Sequence, residues 1–203
     1  MLPDSGYHGR MPSLSLICYP SAPDTSVRRI AVRVRRMRGG TLALAYRIEG
    51  DAERVRWPPP RPPRRADELW RHTCCELFLA ERGRAGYHEF NFAPSTEWAI
   101  YRFQAYREGM AVVENAGRLR VASRVRADRL ELTAAVDLGA LSPRLTGADL
   151  RLAVSAVIEA ADGGCSYWAL RHPPGRPDFH HPDGFALALD RIAPASEFPR
   201  QPD

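Results

Sequence analysis

Short segments in which apolar and polar residues alternate follow one another along most of the chain. In Tyr87–Phe92, for example, Glu89 and Asn91 fall on one face of an extended chain and Phe90 falls on the other. No window keeps a helical period over three turns. The pattern predicts a series of short strands, at Leu14–Tyr19, Val27–Met37, Thr41–Ile48, Cys74–Ala80, Tyr87–Phe92, Trp98–Phe103, Met110–Val113, Leu119–Val125, Leu130–Val136, Leu150–Glu159, Ser166–Leu170 and Phe185–Leu189.

Turn residues separate these segments at short intervals. Gly39 and Gly40 join two alternating segments as a hairpin, and Gly163 and Gly164 precede another segment. The stretch Leu138–Leu145 has room for one short helical turn. Many short strands at regular spacing are typical of an all-β sandwich or barrel. The sequence therefore predicts an all-β fold with at most one short helix.

Length and composition predict a single domain. The chain has 203 residues, of which 44% are hydrophobic and 26% are charged, and a chain of this kind buries a full core. We predict a disordered lead at residues 1–12, one domain at 13–192 and a tail at 193–203, with Met11 as an alternative start to Met1. Five prolines in Trp57–Arg65 favour a long surface loop over a polyproline II linker between domains.

The basic residues do not predict a nucleic-acid partner. The formal net charge is +5, but all 29 basic residues are arginine and they are scattered along the chain. Arg33 and Arg35 alternate with Val32 and Val34, which predicts that the arginines lie on the solvent-facing side of a strand. A nucleic-acid footprint needs basic side chains clustered on one face.

The cysteines and the amino terminus favour a reducing compartment. Cys18, Cys74, Cys75 and Cys165 form neither a zinc-binding spacing nor a disulfide framework, so we interpret them as free thiols. Met1–Arg10 lacks the apolar stretch of a secretory signal, and no apolar run is long enough to cross a membrane. The sequence predicts a cytoplasmic protein without a membrane partner.

Polar side chains inside apolar strands mark a candidate ligand site. If the face that carries Glu89 and Asn91 points inward, its polar groups need hydrogen-bond partners. Two interpretations stay open, namely a polar network that fixes the register of the sheet and the floor of a ligand site. The residues concerned are Tyr87, Glu89, Asn91 and Glu76, with Arg102 or Arg107 as a partner.

Two tryptophans, Trp98 and Trp168, are candidates for contact with a sugar ring. A flat aromatic ring stacks on the C–H face of a sugar, while amides and carboxylates bind its hydroxyl groups. The alternative interpretation is that both indoles belong to the core of a sandwich.

The proline-rich stretch 171–185 concentrates histidines and aspartates. Loops on a rigid scaffold often carry function, and His172 with His180 or His181 and Asp178 is a candidate zinc set. The spacing matches no standard metal motif, and the alternative is a stiff loop whose aspartates cap turns. His172 is also a candidate for contact with an organic ligand.

No motif for covalent catalysis is present. The nucleophile motifs G-x-S-x-G and S-x-x-K are absent, and Cys165 with His172 has no basic sequence neighbour that would activate the thiol. Glu76, Glu89 and Glu97 are the candidate carboxylates for a glycosidase, which needs two of them at a defined separation. We predict a domain without catalytic activity.

Four segments together resemble a known family. They are L-W-R-H-T-C-C-E-L-F-L at 69–79, Y-H-E-F-N-F-A-P-S-T-E-W-A-I-Y-R-F at 87–103, Y-R-E-G-M at 106–110 and S-Y-W-A-L-R-H-P-P-G-R-P-D-F-H-H-P-D-G-F at 166–185. These segments resemble the bacterial DOMON-like domain proteins, which are grouped with the family 9 carbohydrate-binding modules. The resemblance spans about Leu14–Leu189 and implies a two-sheet, mostly antiparallel, jelly-roll-like β-sandwich with a ligand pocket.

The resemblance implies two kinds of ligand. In the sugar-binding relatives, tryptophans and polar side chains hold the sugar, often with structural calcium nearby. In haem-binding DOMON domains a methionine and a histidine are the axial ligands, and Met110 and His172 are the pair that would correspond. The residues that would correspond to the sugar-binding set are Trp98, Trp168, Glu89 and Asn91.

We therefore hypothesise a non-catalytic domain that binds a carbohydrate or another sugar-containing small molecule. One alternative is a redox or sensor domain that binds haem or a metal. The other is an interaction domain without a small ligand, in which the loop Trp57–Arg65 contributes to a dimer interface. Calcium and haem stay open as cofactors, and the oligomeric state stays open as well.

Overall fold

The structure, a computed structural model, describes residues 13–22, 26–115 and 117–191. The predicted lead at 1–12 and tail at 193–203 lie outside the described residues. Almost all regular structure is β-strand, as the alternating pattern predicts. The strands are β1 (Leu14–Cys18), β2 (Val27–Arg36), β3 (Thr41–Gly50), β4 (Cys74–Glu81), β5 (Tyr87–Phe92), β6 (Trp98–Phe103), β7 (Ala111–Val112), β8 (Arg120–Arg126), β9 (Arg129–Asp137), β10 (Leu150–Glu159), β11 (Cys165–Ala169) and β12 (Leu187–Leu189).

Helical structure is confined to short connections. In the described part of the chain the α-helix is α1 (Leu138–Leu141), which lies inside the stretch predicted to hold one helical turn. The Asp137 side chain accepts hydrogen bonds from the backbone N–H groups of Gly139 and Ala140 and so caps the helix start. A 3-10 turn at Leu69–Arg71, which the alternation does not predict, leads into β4.

All pairings between the named strands are antiparallel, and they run in the order β7-β6-β5-β4-β10-β11-β1-β2-β3-β9-β8. Strand β1 joins the two halves of this order. Its Leu16 pairs with Ile30 of β2, and its Ile17 pairs with Ala169 of β11. The short β12 pairs with the start of β10. The sheet thus curls into two layers, one on each side of β1.

The core lies between these two layers. Apolar side chains alternate along β3 and β9 so that Leu44 and Leu132 point inward, and Leu77 and Phe90 point inward from the other layer. All four belong to one cluster of buried residues that draws on both halves of the sheet. The protein is an all-β, antiparallel β-sandwich, which confirms the predicted fold class.

The segment Trp57–Arg65 forms neither strand nor helix and follows the surface, as predicted for a loop. The backbone N–H of Arg61 donates to the Ser95 carbonyl oxygen at 2.9 Å, so the loop lies against the turn between β5 and β6. Arg33 and Arg35 of β2 are exposed, as their alternation with valines predicts. Among the described residues, no helix has the length and apolar character that crossing a membrane requires.

One hydrogen bond crosses the core between the layers. The hydroxyl group of Tyr46, on β3, donates to the backbone carbonyl oxygen of Glu76, on β4, at 2.7 Å. The Tyr46 side chain is almost completely buried, and burial raises the pKa of its hydroxyl group well above the usual value. This bond holds the strand that carries Glu76 against the opposite layer.

Replacing Tyr46 by phenylalanine is expected to lower the free energy of unfolding by about 1–2 kcal/mol, because a buried carbonyl loses a partner. Urea denaturation of the variant and the original chain measures this difference. The comparison variant is Tyr106→Phe, since Tyr106 is 46% exposed and the hydrogen bond from its hydroxyl group to Asp178 is open to water, so its loss is expected to cost less than about 1 kcal/mol. Equal losses in the two variants would contradict the role assigned to Tyr46.

Candidate functional site

The outer face of the layer that contains β4, β5 and β6 is itself buried. On β4, the outward-pointing Glu76 and Phe78 are as inaccessible to solvent as the core-facing Leu77 between them. Two segments cover this face, the 3-10 turn Leu69–Arg71 and the stretch 171–186. The apolar residues buried beneath them are Phe78, Tyr87, Ala99, Tyr101, Phe103, Ala153 and Phe185.

A cleft of about 540 Å³ opens between the sheet and these covering segments. Its volume lies within the range of roughly 300–1,000 Å³ that small-molecule pockets occupy. Glu76 and Glu89 form the floor, and Arg71 and Arg107 lie at the rim. The aromatic residues of the lining are Trp70, Phe78, Tyr101, Phe103, Tyr167 and Phe179.

The two carboxyl groups of the floor are buried and hydrogen-bonded. Glu76 Oε2 accepts from Ser155 Oγ at 3.4 Å, and Glu89 Oε1 accepts from Asn91 Nδ2 at 2.8 Å. Burial raises the pKa of both carboxyl groups, and the charge of Glu89 raises the pKa of Glu76 further. The floor therefore keeps protons at pH values where exposed carboxyl groups lose them, and it can donate as well as accept hydrogen bonds.

A neutral histidine lies beside the floor. His180 Nδ1 is 2.8 Å from the Tyr87 hydroxyl oxygen, and His180 Nε2 is 3.7 Å from Glu89 Oε2. Burial lowers the pKa of His180 to about 4, and the nearby Arg107 charge acts in the same direction. The imidazole is therefore uncharged at neutral pH and does not neutralise Glu89.

An ion pair fastens the covering stretch to the rim. Arg107 Nη2 donates to Asp178 Oδ1 at 2.8 Å, and the Tyr106 hydroxyl group donates to Asp178 Oδ2. Burial opposes ionisation of Asp178, but these two hydrogen bonds outweigh it and hold the pKa of the carboxyl below its usual value. Asp178 Oδ1 also accepts from the backbone N–H of His180, so the ion pair positions the histidine.

No family model matches the chain, and no curated protein matches it. Several solved structures are similar to it. A candidate carbohydrate-binding protein from Bacteroides uniformis has a TM-score of 0.64 at 16% identity over 86% of this chain and 83% of its own. A family 9 carbohydrate-binding module from Caldicellulosiruptor kristjanssonii in complex with cellotriose has a TM-score of 0.56 at 13% identity over 95% and 89%. This chain has the fold of those modules.

A second structure of a family 9 carbohydrate-binding module from Caldicellulosiruptor kristjanssonii, in complex with glucose, has a TM-score of 0.50 at 11% identity. The match covers 93% of this chain and 86% of that one. The structural similarity establishes the fold, but at these sequence identities it does not identify a ligand for this chain. The two-layer sandwich that the sequence resemblance implies is thus present. The DOMON-like part of that resemblance stays a prediction.

The structure brings together four of the residues that the sequence assigns to a ligand site, which are Tyr87, Glu89, Asn91 and Glu76. Tyr87, Glu89 and Asn91 share the outward face of β5, as their alternation predicts. Glu89 lines the cleft. Asn91 lies beneath the floor and orients Glu89, and Tyr87 lies beside it and contacts His180. Of the two partners predicted for them, Arg107 is at the rim of the cleft.

The two tryptophans and Arg102 lie on the opposite face of the same layer. Trp168 belongs to the main core, where its indole N–H donates to Ser166 Oγ at 3.0 Å. Trp98 is partly buried against the same core. Arg102 is exposed and lines a shallow depression beside His88, on the far side of the layer from the cleft. None of the three side chains lines the aromatic cleft.

The histidines and aspartates of 171–185 have separate partners. His172 Nε2 contacts the Ile17 carbonyl oxygen at 2.8 Å, and His181 accepts from the backbone N–H of Asp183 at a 3-10 turn. Asp178 and His180 belong to the rim and wall described above. In the described part of the chain, no three His, Cys, Asp or Glu side chains are grouped so that they could hold a metal ion. Met110 lines the cleft and His172 does not.

Several cleft residues were not predicted. Tyr101 could have been found from strand pairing, because it lies directly opposite Glu89, which lies opposite Phe78. Opposite residues on paired strands point to the same face. Trp70 lies in a 3-10 turn that precedes the sheet, and no alternation marks its direction.

Replacing Glu76 by glutamine is expected to raise the free energy of unfolding at pH 7 by about 1–3 kcal/mol. The raised pKa means that the folded state binds this proton more tightly than the unfolded chain does. The contribution of Glu76 to the free energy of unfolding is therefore largest at low pH. It decreases as the pH rises above the pKa of a glutamate in the unfolded chain, which is about 4.3. Glutamine does not ionise, so the variant avoids this decrease. Urea denaturation should therefore show a larger gain in the free energy of unfolding for the variant at pH 7 than at pH 4.

The control is the substitution Glu97→Gln, which is expected to change the free energy of unfolding at pH 7 in the opposite direction. Burial opposes ionisation of Glu97, but hydrogen bonds from Arg64 and Ser95 outweigh it and lower the pKa of this carboxyl. Its ionised form therefore stabilises the folded state at neutral pH, and Glu97→Gln is expected to destabilise the protein at pH 7. An identical effect of both substitutions would contradict the description of the cleft floor.

Proposed function

We propose that this protein binds a sugar, or the end of a short carbohydrate, in the aromatic cleft and does not act on it chemically. The observation that carries the proposal is a cleft with aromatic walls and a buried polar floor. Trp70 and Tyr101 offer ring surface for the C–H face of a sugar, and Glu76 and Glu89 offer hydrogen-bonding groups for its hydroxyls. The fold shared with modules solved with cellotriose and glucose supports the same proposal.

The walls are arranged so that a ring can enter. The Trp70 side chain is 36% exposed, and its ring meets the Tyr101 ring edge to face at a centroid distance of 5.7 Å. The indole is thus held by its contact with Tyr101 while the residue remains partly open to solvent. Such a fixed aromatic surface loses little conformational freedom when a ligand stacks on it.

The same floor argues against a glycosidase. Hydrolysis of a glycosidic bond needs one protonated and one ionised carboxyl group on the two sides of the scissile bond. Here Glu76 and Glu89 lie on adjacent strands in the floor of the cleft, so both carboxyl groups reach a bound ring from the same side. This one-sided arrangement supports binding rather than hydrolysis.

Titration calorimetry with glucose and cellotriose tests the proposal. We expect binding with a dissociation constant between about 1 mM and 1 μM, equivalent to about −4 to −8 kcal/mol. The same samples, incubated with cellotriose and analysed for glucose release, should show no hydrolysis. Absence of binding by any neutral or charged monosaccharide at millimolar concentration would refute the proposal, and glucose release would refute its non-catalytic part.

A further inference from the structure

Buried glutamates occur both in the cleft and away from it, and those away from it are neutralised by arginines. Glu97 lies 2.8 Å from Arg64 Nη2, and Glu159 lies 2.7 Å from Arg56 Nη1. Both carboxyl groups are at least nine-tenths buried. They follow the general rule that a buried charge is paired with an opposite charge.

The two glutamates of the cleft floor depart from that rule. Glu76 is 2% exposed and Glu89 is 6% exposed, yet in the described part of the chain no arginine lies within 4.0 Å of either carboxyl group. The basic side chain nearest to Glu89 in an ion-pair geometry is His180, which is uncharged at neutral pH. Two arginines line the cleft, but Arg71 is paired with Glu68 and Arg107 with Asp178. The charge of Arg107 acts on Glu89 from a distance and opposes part of the rise in its pKa.

The missing positive charge can be supplied from the cleft. Glu76 and Glu89 both line the open volume, so a group on a bound molecule can reach them without disturbing the sheet. The Ser155 hydroxyl is a distant donor to Glu76 at 3.4 Å and leaves the carboxyl group able to accept a stronger hydrogen bond. A charged donor forms hydrogen bonds to a carboxylate that are about twice as strong as those of a neutral hydroxyl.

We infer that the cleft prefers a sugar that carries a free ammonium group, an amino sugar, over the neutral sugar with the same ring. This inference rests on the proposed function, because it names the class of carbohydrate that the same cleft binds. The ammonium group pairs with Glu76 and Glu89, which are buried and line the cleft. Glu76 and Glu89 together determine this specificity.

The walls favour the same ligand. A cation within about 6 Å of an aromatic ring is attracted by the face of that ring, most strongly by tryptophan. Trp70 and Tyr101, whose rings are in contact, line the cleft together with Tyr167 and Phe179. An N-acetylated sugar has the same ring but no charge, and it gains neither this attraction nor the ion pair.

Calorimetry with three matched ligands at pH 7 tests the inference on the complete chain. The ligands are glucose, glucosamine and N-acetylglucosamine, which share one ring and differ at a single position. We expect glucosamine to bind about tenfold more tightly than either of the others, which is the difference between a charge-assisted and a neutral hydrogen bond. The preference should shrink at high salt but persist in part, since the floor is buried.

Two variants test whether the carboxyl groups of the floor are responsible for the preference. Glu76→Gln keeps the size and polarity of the side chain and removes its charge, and it is expected to reduce the preference for glucosamine to about twofold or less. Glu89→Gln makes the same change on the neighbouring strand and should also reduce it. The matched control, Glu97→Gln, replaces a buried glutamate that lies outside the cleft and should leave the preference unchanged.

The possible outcomes separate the inference from the proposed function. Equal affinity for glucose and glucosamine overturns the inference and leaves sugar binding established. Equal affinity for glucosamine and N-acetylglucosamine, both tighter than glucose, also overturns it, because the cleft then recognises a substituent and not a charge. Failure of all three sugars to bind overturns the proposed function together with the inference. A glucosamine preference that Glu76→Gln abolishes and Glu97→Gln retains supports it.

Discussion

Replacing Trp70 by alanine is expected to weaken sugar binding by about 2 kcal/mol, or roughly thirtyfold, with little change in the stability of the fold. Trp70 forms one wall of the cleft and remains 36% exposed. Alanine removes the ring surface on which a sugar stacks and leaves the sheet beneath it in place. Calorimetry measures the loss of affinity, and urea denaturation should show a change in unfolding free energy of less than about 1 kcal/mol.

The matched control for this prediction is Trp168→Phe. Trp168 is a tryptophan of the main core, and its ring points away from the cleft. Phenylalanine keeps most of its apolar volume but loses the hydrogen bond to Ser166, so we expect a loss of about 1–2 kcal/mol in stability and an unchanged affinity. The reverse result, in which Trp168→Phe abolishes binding and Trp70→Ala does not, would move the ligand site to the other face of the layer.

Replacing Phe90 by alanine is expected to lower the free energy of unfolding by about 3–5 kcal/mol. Phe90 is completely buried between the two layers, next to Phe92 in the same cluster. The smaller side chain loses apolar burial and leaves a cavity that a rigid antiparallel sheet closes only in part. Single domains are stable by about 5–15 kcal/mol, so the variant should unfold at much lower urea concentration and sit close to the limit of stability.

Val125→Ala provides the comparison for Phe90. Val125 also lies on a strand of the sheet, but 45% of its surface is exposed. Its replacement should change the unfolding free energy by less than about 1 kcal/mol, since surface positions tolerate truncation. A loss at Val125 as large as that at Phe90 would mean that the inward and outward faces have been assigned incorrectly.

The fold could be predicted from the sequence because alternation is a local property. On β5 the side chains of Glu89 and Phe90 point to opposite faces, as a period of two residues requires. The order of the strands is different, because it depends on contacts between distant segments. Strand β4 pairs with β5 on one side and with β10 on the other. The sequence of Cys74–Glu81 alone does not indicate that its second partner is the distant β10.

The candidate site was predictable only where alternation defines a face. Glu89 and Asn91 were assigned together because they are two residues apart on one strand. Trp98 belongs to the next strand, and its face depends on the register across the turn between Ala93 and Glu97. That turn pairs Trp98 with Phe92, which faces the core. A shift of one residue would have turned the indole toward the cleft, and no local pattern fixes the register of such a turn.

The cleft floor joins strands that are far apart along the chain. Ser155 of β10 and Glu76 of β4, which meet in the floor, are separated by 79 residues. The entropy lost in closing such a loop precedes any gain from pairing, and folds that depend on nonlocal pairs reach the native state in milliseconds to seconds. Ligand affinity should therefore appear only in the last stage of refolding. A chain released before β10 is synthesised carries Trp70 and both floor glutamates, but it lacks the strand that supplies Ser155 to the floor and the stretch 171–186 that covers the cleft.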